Sequence, residues 1–129
     1  MMSLARHERL AGKKAIERLF KHSGSRAMMA FPLRVVFASA PDSSCTRMMV
    51  SVPKRLLKRA VDRNRVKRQV REAYRQHKSL LAGTDNRHLA FIWTDNRVHP
   101  GHEVEARVVK LLERLSQLPS SSTNGPSVR

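Results

Sequence analysis

The sequence predicts an α+β domain, a small sheet packed by helices. Two observations point there. Short runs rich in β-branched and aromatic residues stand at 31–38, 46–52 and 88–94, separated by turn-forming residues. Apolar residues recur at helical spacing in 13–22, in the basic segment after Pro53, and in 103–118. At 129 residues and 40% hydrophobic content, the chain is long and apolar enough to bury one core without metal or disulfide staples. Elements in this order, helix, two strands, helix, strand, helix, fit one sheet layer covered by helices.

The first helix is predicted over 13–22, with Ile16, Leu19 and Phe20 on one side, and Ser23-Gly24-Ser25 stops it. Strand 31–38 follows, and Pro32 places its start at an edge or end. The turn at "APDSSC" leads to strand 46–52, and the two are predicted to pair antiparallel. Pro53 closes that strand, and the basic segment reads as a helix ending near Gly83. Strand 88–94 is a nearly continuous apolar run, which predicts a central, buried position and places Trp93 in the core. The last helix, 103–118, buries Val104, Val108, Leu111, Leu112 and Leu115, with Glu103 and Glu105 suited to its positive end. The domain spans 1–118; residues 119–129, with Val128 their sole apolar member, are expected to be a disordered tail.

Charge dominates the composition. Twenty-six Lys and Arg against ten Asp and Glu give a formal net charge of +16, which points to a polyanionic partner. One cysteine, Cys45, excludes an intramolecular disulfide and fits a reducing compartment. Neither a secretory signal nor a membrane-spanning run is apparent, so the expected location is cytoplasmic.

The charge is concentrated in "KRLLKRAVDRNRVKRQVREAYR", residues 54 to 75, with ten Lys or Arg and two acids, Asp62 and Glu72. On a helical wheel, Val66, Val70, Ala73, Tyr74 and His77 share an apolar stripe. Asn64, Arg68, Arg71 and Arg75 lie opposite, flanked by Arg65 and Lys67. Arg63, Lys67, Arg71 and Arg75 repeat at i+4, where like charges cost a few tenths of a kcal/mol per pair, roughly. Phosphate neutralisation with counterion release offsets that cost. A membrane surface fits less well, because the stripe lacks the bulky groups that interfacial helices insert.

An intrinsic nuclease would need a carboxylate cluster or a His pair placed for acid–base work, and the predicted strands carry no acid. His99, His102, Glu103 and Glu105 bracket Pro100-Gly101 without regular ligand spacing and read as a solvated loop. Charge alone leaves open an RNA binder of the ribosomal-protein type and a DNA-binding module with its helix in the major groove.

The stretch "AVDRNRVKRQVRE" separates these. Arg63-Asn64-Arg65, an apolar Val66 and Lys67-Arg68 resemble the signature of the bacterial ribonuclease P protein subunit. Ser51-Val52, Lys54-Arg55 and Ala60-Val61 match its approach, and "RLFKHSGS" and "FPLRVVF" resemble its first helix and strand. The resemblance covers about residues 7 to 116. It departs in the turn before the basic helix, where Leu56 and Leu57 replace the usual Lys-x-Gly, and in the first helix, where Ile16 replaces one of two aromatics.

The resemblance implies a small mixed sheet packed by helices, similar to the second domain of the fifth ribosomal small-subunit protein. Its β–α–β crossover would be left-handed, against the general rule. It further implies the protein subunit of an RNA-based endoribonuclease that removes the 5′ leader of precursor tRNA, with no catalytic residue or metal ligand on the protein. Mg²⁺ would be held mainly by the catalytic RNA, with one protein per RNA. RNA contacts would come from Lys54, Lys58, Arg63, Asn64, Arg65, Lys67, Arg68, Arg71 and Arg75. The leader cleft would be lined by Ile16, Phe20 and Phe31.

Overall fold

The strand-forming runs assemble into one four-stranded sheet, β1 (Arg26–Ala30), β2 (Leu33–Ser39), β3 (Arg47–Ser51) and β4 (Arg87–Trp93). Helices α1 (Lys13–Lys21), α2 (Ala60–His77) and α3 (Gly101–Ser116) complete the fold, with a short 3₁₀ turn at Lys78–Leu81. The computed structural model describes residues 8–10, 13–21, 25–40 and 43–118. The predicted tail at 119–129 and two residues of the predicted stop, Ser23 and Gly24, lie outside the described residues, while the third, Ser25, donates from its hydroxyl to the Leu19 carbonyl at the end of α1.

Strand order is β1-β2-β4-β3, with β1–β2 and β2–β4 antiparallel and β3–β4 parallel. The predicted antiparallel pairing of 31–38 with 46–52 is therefore wrong: β4 lies between them. Leu89, Ala90, Phe91 and Trp93 are all fully buried, and a strand apolar on both faces belongs in the middle of a sheet. The β3–α2–β4 unit is thus a crossover between neighbouring parallel strands.

Strand β1 has no counterpart in the sequence prediction, which began a strand at Phe31. Only Ala30 of its five residues is buried, so no alternation advertises it. It forms as a hairpin arm on β2, and α3 secures its exit: the Arg114 guanidinium donates to the Met29 carbonyl (2.9 Å) and Arg107 Nε to the Phe31 carbonyl (2.8 Å).

Two apolar layers flank the sheet. On one face Leu33, Val35, Phe37, Met48, Val50, Leu89, Phe91 and Trp93 meet the buried sides of α2 and α3. On the other, Val36, Ala38 and Ala90 meet Leu10 and Leu19, with Ile16, Met49 and Ile92 at the margin. The outer edge of β3 is covered by residues 9 and 10, where the Leu10 amide donates to the Met48 carbonyl (2.8 Å). Glu8 pairs with Lys78 and ties that segment to the end of α2.

The basic stretch is not helical from its start. Residues 54–59 form a turn in which the amides of Leu56 and Leu57 donate to the Pro53 carbonyl, and α2 begins at Ala60. Leu57, one of the two leucines that depart from the family pattern, is buried in the main core. Arg63 reaches back to donate to the carbonyls of Leu57 and Lys58, both at 2.8 Å. Beyond the 3₁₀ turn, Gly83 takes φ +82°, a conformation that favours glycine and lets the chain leave for β4.

Candidate nucleic-acid interface

Helix α2 is held by Val66, Val70, Ala73 and Tyr74, all buried. His77, read from its spacing as a fifth member of that stripe, is half-buried and bonds Glu105 of α3 at 2.7 Å. Asn64, Arg65 and Arg68 are exposed on the far side, Lys54 and Lys58 are exposed in the preceding turn, and Lys67 is half-buried on the flank. None of these six makes a side-chain hydrogen bond or ion pair among the described residues. The five cations among them have no ion-pair partner among the described residues.

The other three predicted contacts have neighbours inside the molecule. Arg63 is committed to the two backbone carbonyls. Arg75 forms a two-point pair with Glu72 (3.1 and 2.6 Å), which keeps the Glu72 carboxyl below its ordinary value. Burial, and secondly the charge of Arg9, lower the Arg71 guanidinium from its usual value. Arg71 therefore lies on the flank of α2 that faces the N-terminal segment.

A second surface lies on the sheet face under α1. Register places Met29, Arg34, Ile92 and Ser51 in one row across all four strands. The next row, Ala27, Val36, Ala90 and Met49, is partly roofed by Leu19 and Ile16. Of the predicted cleft residues, Ile16 packs at the margin of this layer, whereas Phe20 is 46% exposed at the end of α1. Phe31, 56% exposed, lies in the β1–β2 connection, its ring edge-on to His99 at 6.3 Å. His88, on the same face, has its pKa lowered by burial, then by Arg47 and Arg18. That face is thus mixed apolar and cationic. Sequence reasoning missed Met29, Arg34, Ile92 and Ser51; β1 carries no alternation that marks Met29, and only the strand order puts the four in one row.

His99 is not in a solvated loop. Its side chain is 17% exposed, Nε2 lies 2.6 Å from Asp95 Oδ2, and Nδ1 lies 2.6 Å from Glu103 Oε1. An imidazole can donate from both nitrogens only as the cation, so the two carboxylates, Glu103 first, raise its pKa. Its ring also meets Trp93 edge-on at 5.3 Å. The cluster thus joins the end of β4 to the start of α3. Among the described residues, no group of three or more His, Cys, Asp or Glu side chains is arranged to hold a metal ion, and no helix is long and apolar enough to cross a membrane.

Comparison with known proteins agrees with this geometry. The family model described as Ribonuclease P matches residues 4–116. The ribonuclease P protein component of Porphyromonas gingivalis is 36% identical over 127 residues, covering 92% of this chain and 91% of that protein. That of Chlorobaculum tepidum is 45% identical over 83 residues, 61% of this chain and 53% of that protein. In fold, the RNase P protein from Thermotoga maritima superposes with a TM-score of 0.69 at 23% identity, over 83% of this chain and 96% of that one. A four-stranded mixed sheet with a basic helix on its crossover, and a family match spanning nearly all the described residues, lead to one assignment: the chain belongs to the ribonuclease P protein family.

Proposed function

We propose that this chain is the protein subunit of a ribonuclease P in which a partner RNA carries the catalysis and the protein assists removal of the 5′ leader from precursor tRNA. The observation that carries the reading is the row of polar and cationic side chains, Lys54, Lys58, Asn64, Arg65, Lys67 and Arg68, on α2 and the turn before it, none paired among the described residues. Cations held apart from internal counter-charges gain most from phosphate, because each contact releases condensed counterion. Arg71 and Arg75 extend the surface, and Arg63 sets its geometry by closing the turn.

The row Met29, Arg34, Ile92 and Ser51, with Phe20 and Ile16 on α1 and Phe31 at the sheet end, supports a platform for the single-stranded leader. Apolar and aromatic groups there can meet bases of any identity, while Arg34 meets phosphate. Mg²⁺ belongs with the RNA in this reading, and the protein acts by binding and aligning strands, one copy per RNA, in the cytoplasm. Reconstitution tests it. Added to the RNA subunit at low Mg²⁺, the protein is expected to restore cleavage of precursor tRNA to the mature 5′ end. Unchanged cleavage would overturn the proposal.

A further inference from the structure

A chain of alternating charge runs from the end of β4 along the start of α3, and it ends on Phe31. His99 lies between Asp95 Oδ2 and Glu103 Oε1, 2.6 Å from each. One turn further along α3, Arg107 acts on the Glu103 charge and donates through Nε to the Phe31 carbonyl (2.8 Å). The His99 ring itself stands edge-on to the Phe31 ring at 6.3 Å. The network therefore meets Phe31 at its backbone and at its ring.

The surroundings of His99 are fixed by other bonds. Trp93 Nε1 donates to the Arg97 carbonyl (3.1 Å) and the Asn96 amide to Asp95 Oδ1 (2.8 Å), which closes the turn that presents Asp95. The buried Trp93 ring meets His99 edge-on at 5.3 Å. The Pro32 carbonyl accepts from the Thr94 amide and hydroxyl, both at 2.9 Å. Arg107 and Thr94 thus hold the backbone at Phe31 and Pro32. The exposed Phe31 ring is left to side-chain contact, and His99 supplies an aromatic neighbour for it.

An imidazole bonded at both nitrogens to carboxylates is held against rotation and gives Phe31 a fixed wall. Once neutral, one nitrogen becomes an acceptor facing an acceptor, and that contact opens. The charged groups facing His99 are Asp95, from the turn after β4, and Glu103, from α3. Helix α2 contributes the neutral Gln69 amide, which donates to the His99 carbonyl (3.4 Å), and the sheet side contributes the uncharged rings of Trp93 and Phe31. Arg97, His102 and Arg107 bear on the two carboxylates. We propose that His99 is a positioning residue for the 5′ leader: clamped as a cation between Asp95 and Glu103, it holds the Phe31 ring where leader bases stack, and preference for leader-bearing RNA falls as it gives up its proton. The two carboxylates raise the His99 pKa, so the fall lies on the alkaline side of 6.5. The inference rests on the leader-platform reading above and adds the group that sets Phe31.

The test measures binding of leader-bearing precursor tRNA and of mature tRNA by the reconstituted holoenzyme between about pH 6 and 9, with Ca²⁺ replacing Mg²⁺ to suppress cleavage. The ratio of the two affinities cancels the pH dependence of contacts that both RNAs share. In the wild type this ratio is expected to fall about threefold as pH rises, the scale of ordering one side chain on binding. His99→Gln and Phe31→Ala should each give the low ratio at every pH. A flat wild-type ratio that Phe31→Ala still lowers would overturn the role of His99 and leave the platform intact. A pH-dependent ratio retained in His99→Gln would overturn it too. A wild-type ratio that Phe31→Ala leaves unchanged would overturn the platform at Phe31 and this inference with it.

Discussion

Arg63 and Arg65 stand two positions apart in the same basic motif, yet the fold uses them differently. Arg63 is bonded to the Leu57 and Lys58 carbonyls, while Arg65 is exposed with no partner among the described residues. Arg63→Ala is expected to lower stability by about 1.5 kcal/mol, the size of a hydrogen bond to a charged group. Arg65→Ala should stay within about 0.5 kcal/mol of wild type, as exposed substitutions do. Urea unfolding separates the two, whereas RNA binding falls in both. His99 makes a pH-dependent contribution. Its pKa is raised above the ordinary 6.5, so its stabilisation is fully present below that value and is lost as pH climbs through the folded one. Asp95 and Glu103, lowered from 3.8 and 4.5, stabilise above those values and lose their contribution as pH falls through the folded ones. Wild type and His99→Gln should therefore differ most in urea midpoint between about pH 5 and 6.5, and converge toward both acid and alkali. A difference that grows toward alkali would refute the ion cluster.

At the scale of elements, α1 shows how neighbouring residues divide between core and surface. Leu19 is 2% exposed against Val36, Ala38 and Ala90, and Phe20 faces outward. Leu19→Ala is expected to cost about 2–5 kcal/mol as a cavity in a well-packed layer. Phe20→Ala should cost no more than about 0.5 kcal/mol, while lowering the preference for substrates that carry a leader; thermal melts and competition between leader-bearing and mature tRNA check the pair. The wheel placed both residues on one side of the helix, and only the width of the sheet beneath decides which is roofed. Much else was legible. Helical spacing predicted α1 and α3 closely, whereas α2 is shorter at both ends than the predicted span from Pro53 to near Gly83, and the apolar run of β4 predicted its central place. What escaped depended on distant contacts. Strand β1 buries one residue and is held by α3 arginines some eighty positions away, and the turn at 54–59 is closed by Arg63 and anchored by Leu57. The cationic face could be read directly, because charge is a property of residue type. Which arginines are already spent could not, because backbone carbonyls and buried neighbours carry no mark in the sequence.

Over the whole molecule, a net charge of +16 gives long-range attraction to any polyanion, so affinity alone does not identify a binding face. Salt dependence does. Each phosphate contact contributes about 0.7 to the slope of log K against log salt for a single strand and about 0.9 for a duplex. If Arg65 and Arg68 each hold one phosphate, their double replacement by Ala should flatten the slope by about 1.4 to 1.8. Replacing two half-buried or committed cations instead would lower affinity with an altered fold. Glu72 gives the opposite perturbation on the same surface. It is the one acid interrupting the outer face of α2, and it holds Arg75 by two hydrogen bonds. Glu72→Gln removes the counter-charge and releases the guanidinium, so RNA should bind more tightly and with a steeper slope, by up to about one further contact. The cost should appear as a small loss of helix stability, because an i, i+3 ion pair on a helix surface contributes little. Opposite shifts in slope from Arg65/Arg68→Ala and from Glu72→Gln would place phosphate on this face of α2. Parallel shifts, or none, would move the binding surface elsewhere on the molecule.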